Sequence, residues 1–280
     1  MKIQVLDNIS FDVGSELSSK ICRAEDTRIA VAFVTRSGLS LIESALNTSL
    51  QSGGYIEFLV GLDMCVTSPA ALRYLYSLGQ ENRNLKLYCY TSNNVSITYH
   101  PKVYIMRDNI NVSFMVGSSN LTAGGLQRNV EANLTVEGNE LDEVVLDIYQ
   151  VYKQLKFSPN RVIPDEEFVE IYAQLFDDQS ALRKKETQRK PGALKSFSEK
   201  VKTLQRPRLS QKDLVGWARL VYAVLPAGEF TNDEIYKYED FFKQKYPDNK
   251  NIRAKIRQQL QVLESEQFVE HIARGVWCKK

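Results

Sequence analysis

The sequence contains few residues that bind metals or form disulfides. Its 280 residues include only two histidines and four cysteines. The cysteines are Cys22, Cys65, Cys89 and Cys278. They lie far apart and form no CxxC pair, which argues against a zinc site and against a disulfide framework. We interpret them as buried or idle thiols and expect neither a metal ion nor another cofactor.

Long apolar segments are also missing. No run approaches the roughly 20 apolar residues that span a bilayer, and the first residues, MKIQVLDNISFD, lack the basic and then apolar pattern of a secretion signal. With 43% hydrophobic and 25% charged residues, the composition is that of a globular protein with a sizeable core. We expect a cytoplasmic protein that does not bind membranes.

The charge is unevenly distributed along the chain. Residues 1–182 contain 14 basic and 22 acidic residues, a net charge of −8, whereas residues 183–280 contain 22 basic and 12 acidic residues, a net charge of +10. A basic C-terminal part of this kind is typical of a module that binds a polyanion. A solvated basic surface without a ligand would have the same charge, so charge alone leaves both interpretations open.

The N-terminal part has the pattern of an α/β domain. The strand-like runs TRIAVAFVT, YIEFLVGLD and LKLYCY alternate with helical patterns near residues 37–51 and 69–79. Three more strand-like runs follow closely, KVYIMRD, VSFMVGS and VEANLTVEG, and then an amphipathic helix at about 141–155. The predicted fold is a mixed sheet flanked by helices.

The rest of the chain divides into a linker and a second domain. A helical pattern at about 165–190 continues into a basic stretch that is interrupted by Pro191, Gly192 and Pro207. Beyond it we predict helices at 211–224, 232–246 and 251–265 and then a β-hairpin, which together describe a winged helix-turn-helix. The predicted domains are therefore 1–160, a helical and basic linker at 161–208, and 209–280.

The most informative motif begins at Tyr99. His100 and Lys102 are two residues apart on an extended segment, which places both side chains on one face of the sheet. A Gly-rich polar turn with Ser118 and Asn120 follows one strand later, and Glu131 lies eleven residues beyond Asn120.

These residue types fit phosphodiester cleavage. A neutral imidazole, here His100, can attack phosphorus and form a covalent phosphohistidine. The Lys102 ammonium and the Ser118 and Asn120 side chains would stabilise charge on the phosphoryl oxygens. A carboxylate such as Glu131 would hold the other imidazole nitrogen and fix its tautomer. An ordinary sheet histidine beside a polar loop is the alternative interpretation.

The order HxK, GSxN and Glu resembles the HKD motif of the phospholipase D superfamily, and within it the small single-motif nucleases and the NgoFVII-type restriction endonucleases. The resemblance covers about residues 20–156. The Asp that usually ends the family's first motif falls on Arg107 here, and Asp108 stands one position late. The resemblance implies metal-independent chemistry with two histidines, of which one attacks and the other protonates the leaving oxygen. Because this chain has one motif, it implies a homodimer.

The tail, about 215–278, is similar to the C-terminal winged helix of DpnI-type restriction enzymes. Double-stranded DNA is therefore the expected partner, with Lys250, Arg253 and Lys255 contacting phosphates. We expect Asn251, Arg257 and Gln258 to reach the base edges. The alternative is that these charges only solvate the helix. Trp277 is interpreted as a packed hairpin aromatic rather than as a DNA contact.

Together these features predict a restriction-type endonuclease that acts in phage defence. The sequence leaves open a companion methyltransferase or helicase, and it leaves open whether DNA methylation is required. A phospholipase D-type lipid phosphodiesterase and a catalytically inactive DNA-binding regulator are the two alternatives.

Overall fold

The computed structural model describes residues 1–91, 98–189, 191–203 and 210–280. The chain divides into two compact units, Met1–Pro191 and Gly192–Lys280. Within the described residues each unit has its own hydrophobic core.

The first unit contains strands and helices in alternation. Its strands are β1 (Lys2–Leu6), β2 (Asp26–Val31), β3 (Tyr55–Gly61), β4 (Leu85–Tyr90), β5 (Lys102–Asp108), β6 (Asn111–Gly117), β7 (Asn133–Asn139) and β8 (Arg161–Val162). Its helices are α1 (Val13–Ile21), α2 (Arg36–Gln51), α3 (Pro69–Glu81), α4 (Glu143–Lys156) and α5 (Glu166–Arg189), with a π-helical turn at Gly124–Arg128. The predicted strands and helices between 27 and 155 are confirmed, whereas β1 and α1 were not predicted.

The described strands of this unit form an eight-stranded sheet in the order β1-β7-β6-β5-β2-β3-β4-β8. Strands β2, β3 and β4 are parallel, and the pairs on either side of them are antiparallel. The predicted mixed sheet is therefore confirmed.

Helices cover both faces of the sheet. Successive residues of β2, Ile29 and Ala30, lie in two different cores, because side chains alternate between the faces of a strand. One core includes apolar residues of α1, α2 and α3, and the other includes Val145, Ile148 and Tyr152 of α4. Because helices cover both faces in this three-layer arrangement, the accessible parts of the sheet include the ends of its strands, which we call its edge.

Two helices begin at the edge where β2 and β3 end. The Thr35 side chain accepts a hydrogen bond from the Gly38 amide and caps α2, and Ser68 caps α3 in the same way. Gly38 lies against the backbone of Leu121, where a Cβ atom would come within 2.3 Å of the Leu121 carbonyl oxygen. This contact holds the start of α2 against the loop that follows β6.

The second unit consists of short helices and a small sheet. Its helices are α6 (Pro191–Thr203), a 3-10 turn at Gln211–Asp213, α7 (Gly216–Val224), α8 (Asn232–Tyr236), α9 (Glu239–Lys245) and α10 (Ile252–Ser265). Its strands are β9 (Glu229–Thr231), β10 (Val269–Ala273) and β11 (Val276–Lys279), in the order β10-β11-β9. The predicted hairpin is confirmed, and a capping box between Thr231 and Glu234 begins α8.

Two predicted helices of this unit are interrupted. The predicted helix 211–224 breaks before Gly216, whose φ of +54° lies in the left-handed region. The predicted helix 232–246 is two helices, α8 and α9, which turn at Lys237 and Tyr238. Tertiary packing of Ile235 and Phe242 in one core overrides the local helical pattern.

The predicted linker at 161–208 contains β8, α5 and α6. Strand β8 pairs with β4, and Arg73 of α3 forms an ion pair with Glu170 of α5 at 2.7 Å. Residues 190 and 204–208 of this linker lie outside the described residues.

Candidate active site

The motif residues meet at one edge of the large sheet. Strand β5 runs antiparallel to β2 and to β6, so the start of β5 lies beside the ends of both neighbours. Lys102 begins β5, and Gly117 ends β6 one residue before Ser118. The predicted clustering of the HxK and GSxN segments therefore follows from strand direction.

His100 and Lys102 are in direct contact. The Lys102 Nζ lies 2.6 Å from Nδ1 and 3.0 Å from Nε2 of the imidazole, and it donates to the His100 carbonyl oxygen at 3.0 Å. Lys102 is 6% exposed, whereas His100 is exposed. The histidine is thus the solvent-accessible member of the pair, and the lysine that contacts it is buried.

The surroundings of this pair favour its neutral forms. Burial, and then the positive charge of Lys102, lower the pKa of His100 below its ordinary value. Burial also lowers the pKa of Lys102, and the nearby carboxylate of Glu131 opposes that effect. A lowered pKa keeps the imidazole unprotonated, and able to act as a nucleophile, to a lower pH than an ordinary histidine.

The polar loop after β6 alternates between buried and accessible side chains. Ser119 is fully buried, its amide donates to Asn133 Oδ1 at 3.2 Å, and Asn133 Nδ2 donates to its Oγ at 2.9 Å. Beneath the loop, Tyr104 donates to the Ser119 carbonyl at 3.0 Å. On either side of the anchored Ser119, Ser118 is exposed and Asn120 is half-buried. Asn133 and Tyr104 were not identified from the sequence.

Glu131 contacts the loop and not the imidazole in the part of the chain that the structure describes. The Ser118 hydroxyl donates to its Oε2, and Asn129 Nδ2 donates to its Oε1 at 3.2 Å. The Ala132 amide in turn donates to Ser118 Oγ at 3.0 Å. Glu131 and Ser118 share the turn between β6 and β7, which brings the carboxylate to the Ser118 hydroxyl.

Asn120 is oriented by a backbone amide. The amide of Phe33, just beyond β2, donates to Asn120 Oδ1 at 3.0 Å. Since an N–H group needs an acceptor, this bond fixes which end of the side-chain amide is the oxygen. The Phe33 ring also contacts the imidazole of His100 edge-on, with ring centroids 5.6 Å apart at an angle of 73°. Like Asn133 and Tyr104, Phe33 was not identified from the sequence.

The acidic position of the first motif lies away from this edge. Asp108 ends β5, about 20 Å from Lys102 at 3.3 Å per strand residue. Arg107 forms an ion pair with Glu25 at 3.1 Å and donates to the Asn109 carbonyl. Neither residue is near His100.

The predicted DNA-contacting residues lie on α10 and on the loop before it. The buried residues of this helix form one stripe, Ile252, Ile256, Leu260 and Leu263. Lys250, Asn251, Arg253, Arg257 and Gln258 are exposed, and Lys255 is half-buried. The core stripe therefore leaves these polar residues on the accessible side.

The polar residues of α10 fall into two groups. Arg253 and Arg257 both contact Tyr236, the first through its ring at 5.1 Å and the second through a 2.9 Å hydrogen bond to its hydroxyl. Arg253 also pairs with Glu239 at 2.7 Å. On the other flank, Lys255 donates to Gln258 Oε1 at 2.8 Å. The sequence did not identify Tyr236 and Glu239 as partners of the helix.

Trp277 is a packed aromatic, as predicted. It is buried, and its indole N–H donates to Asn232 Oδ1 at 2.9 Å. His271, the second histidine of the chain, is exposed on β10 and contacts the Trp277 ring at 4.5 Å. His271 therefore lies in the second unit, whereas His100 lies in the first.

Two family models match the chain. The model described as a cardiolipin synthase, PLD-like domain matches residues 17–155, and the Dam-replacing HTH domain matches residues 215–279. The match to the PLD-like domain lies in the first unit, and the match to the Dam-replacing HTH domain lies in the second. The first match contains His100, Lys102, Ser118, Asn120 and Glu131. The second contains α7–α10 and all of the polar residues described on α10.

Several solved structures are similar to the chain. NucT from Helicobacter pylori is 18% identical, with 55% of this chain and 94% of NucT covered at a TM-score of 0.41. Nuc from Salmonella typhimurium, a phospholipase D family member, is 20% identical, with 55% and 92% covered at a TM-score of 0.40. The phosphatidylserine synthase of Haemophilus influenzae is 12% identical, with 65% and 46% covered at a TM-score of 0.48.

Two further observations concern membranes and metals. No helix in the described part of the chain is both long and apolar enough to cross a bilayer. Among residues 1–91, 98–189, 191–203 and 210–280, no three His, Cys, Asp or Glu side chains form a group that could hold a metal ion.

Proposed function

We propose that this protein is a metal-independent DNA endonuclease of the restriction and defence type. The observation that carries the proposal is the placement of an exposed His100, with a lowered pKa, beside Lys102, Ser118 and Asn120 within a PLD-like domain. The Dam-replacing HTH domain in the same chain supports DNA as the substrate. A companion methyltransferase or helicase belongs to the same proposal.

His100 is the proposed nucleophile. A neutral ring nitrogen forms a bond to phosphorus, the bond from phosphorus to the leaving DNA oxygen breaks, and a phosphohistidine results. An acid supplies a proton to the departing oxygen. The group that gave up this proton then takes a proton from water as the water oxygen attacks the phosphorus. The bond from nitrogen to phosphorus breaks, which releases the imidazole and leaves the phosphate on the DNA end.

The neighbouring side chains stabilise the transition state. The Lys102 ammonium lies within 3.0 Å of both imidazole nitrogens, close to where the phosphoryl oxygens would sit. Asn120 would direct its Nδ2 donor at the same oxygens, since its Oδ1 is held by the Phe33 amide. Ser118 and Glu131 would act as a hydrogen-bonded pair beside them. A tautomer-fixing bond from Glu131 to a histidine stays a prediction.

A second copy of the chain would supply the proton. The described chain has one HxK motif, and its other histidine, His271, lies in the second unit. Two His100 residues brought together by a two-fold axis would give one nucleophile and one general acid. The proposed active form is therefore a homodimer.

An exposed apolar row beside the site supports such a dimer. Val116, Leu134 and Val5 are paired across β6, β7 and β1, and they are 37%, 43% and 64% exposed. The row reaches Gly117, next to Ser118. Apolar side chains in one row on a sheet face are typical of an interface, and this row adjoins the half-site that needs completion.

We expect Leu134→Arg to separate the dimer and to abolish cleavage, because a charge in the row would be buried without a partner. Analytical ultracentrifugation measures the oligomeric state, and a plasmid assay measures cutting. Leu141→Arg, at a leucine of the same unit that is 78% exposed, is the matched control and is expected to keep both properties. A fully active Leu134→Arg monomer would contradict the dimeric mechanism.

The decisive experiment is incubation of the protein with duplex DNA in excess EDTA. We expect cutting at a rate unchanged from that without EDTA, because the proposed chemistry uses protein groups alone. Intact DNA accompanied by turnover of phospholipid vesicles would favour a lipid phosphodiesterase instead. DNA binding with neither activity would favour an inactive regulator. Sequencing the cut ends on modified and unmodified DNA would then define the site and its methylation dependence.

A further inference from the structure

The chain just beyond β2 connects the two motifs of the site. Residues 32–35 donate backbone hydrogen bonds to the Pro101 carbonyl at 2.9 Å and to the Leu121 carbonyl at 3.0 Å. Pro101 lies between His100 and Lys102, and Leu121 follows Asn120. This short segment therefore fixes the HxK segment relative to the GSxN loop.

Phe33 is the residue of this segment that contacts both motifs. Its amide donates to Asn120 Oδ1 at 3.0 Å, and its ring meets the His100 imidazole edge-on at 5.6 Å. Edge-on aromatic pairs prefer centroid separations in this range and restrict the orientation of both rings. Lys102 contacts the imidazole as well, so His100 is held by an aromatic ring and an ammonium group.

We propose that Phe33 is a positioning residue for the cleavage reaction. Its ring holds the imidazole of His100 in the orientation for attack, and its backbone amide turns the Asn120 side chain so that Nδ2 faces the same phosphoryl group. The catalytic consequence rests on the proposed function, whereas the contact between the two rings can be measured independently of it.

The test is to replace the ring and to keep the backbone. Phe33→Leu retains the amide that holds Asn120 but removes the aromatic ring. A loss of activity in this variant therefore reports on the contact between the Phe33 and His100 rings. We expect kcat for DNA cleavage to fall by about 10- to 100-fold with KM unchanged, because a misplaced nucleophile loses orientation and not substrate affinity. Phe33→Tyr keeps the ring and is expected to retain kcat within about threefold.

A second readout follows the histidine itself. NMR titration follows the imidazole signal of His100. In Phe33→Leu the burial of His100 decreases, and its pKa should rise toward the ordinary value. Lys102, which contacts the imidazole, and Glu131, whose charge acts on Lys102, are both unchanged in this variant. In wild-type protein a nuclear Overhauser effect between the Phe33 and His100 rings is expected.

The outcomes separate this inference from the proposed function. Unchanged kcat and an unchanged His100 titration in folded Phe33→Leu would overturn the positioning role, as would a missing ring-to-ring Overhauser effect in wild-type protein. If wild-type protein does not cut DNA but the titration responds as expected, the contact is supported and the nuclease proposal fails. If Phe33→Leu does not fold, the wild-type Overhauser effect and Phe33→Tyr decide the question.

Discussion

Replacing His100 with alanine is expected to reduce DNA cleavage by at least about 10³-fold while DNA affinity stays within a few-fold. The imidazole is exposed at the edge of the sheet, so its removal disturbs little packing. The nucleophile is lost, and Lys102, Ser118 and Asn120 are left without an attacking group. Single-turnover cleavage of end-labelled duplex DNA measures the first effect, and fluorescence anisotropy measures the second.

The sequence offers a matched control for this variant. His271 is the second histidine and is also exposed, but it lies on β10 of the second unit. His271→Ala should therefore cleave DNA at the wild-type rate. Wild-type protein denatured during turnover should retain radiolabelled DNA in an acid-labile linkage, as expected for a phosphohistidine, and His100→Ala should not. Cleavage at the wild-type rate by His100→Ala would contradict the mechanism.

Much of the site could be predicted because its geometry follows from strand direction. His100 and Lys102 lie at the start of one strand, and Ser118 and Asn120 follow the next, so an antiparallel pair of strands brings them to the same edge. The alternation of side chains on an extended segment also anticipated the contact between His100 and Lys102. These relations are local or involve neighbouring strands, which a single sequence encodes directly.

The residues that support the site are less visible in the sequence. Phe33 is 67 positions before His100, and its role depends on pairing between β2 and β5. Asn133 anchors Ser119, 14 residues away, through a bond that no spacing rule indicates. One signal was present: Phe33 lies near the end of TRIAVAFVT, which was predicted as a strand, and functional side chains in α/β folds gather at the ends of such strands.

Elements at the edge of the sheet were also missed for a physical reason. Strand β1 pairs with β7, and Val5 lies opposite Leu134 across more than a hundred residues of sequence. Strand β1 has five residues, which are too few for the alternation of polar and apolar side chains to distinguish a strand from a loop. The break between α8 and α9 was missed for a similar reason, because Tyr236 contacts arginines of α10 only after the domain has folded.

Removing residues 209–280 is expected to weaken binding to duplex DNA by at least about 100-fold at physiological salt, because the basic tail is the proposed DNA-holding element. Residues 1–182 carry a net charge of −8, which repels a polyanion until close approach, whereas residues 183–280 carry +10. The truncated protein retains the core of the first unit and every proposed catalytic residue. The truncation should therefore raise KM and keep kcat at saturating DNA within about tenfold of wild type.

Full-length variants separate binding by α10 from general charge. In Lys250→Gln combined with Lys255→Gln, each lost phosphate contact should reduce the slope of log affinity against log salt by about 0.9. Lys212→Gln combined with Lys237→Gln removes the same charge outside α10 and its preceding loop, and it should leave the slope unchanged. Binding titrations between low and physiological salt give both slopes. Equal slopes for the two double variants would assign the affinity to net charge alone. Unchanged affinity after the truncation of residues 209–280 would place DNA binding in the nuclease unit instead.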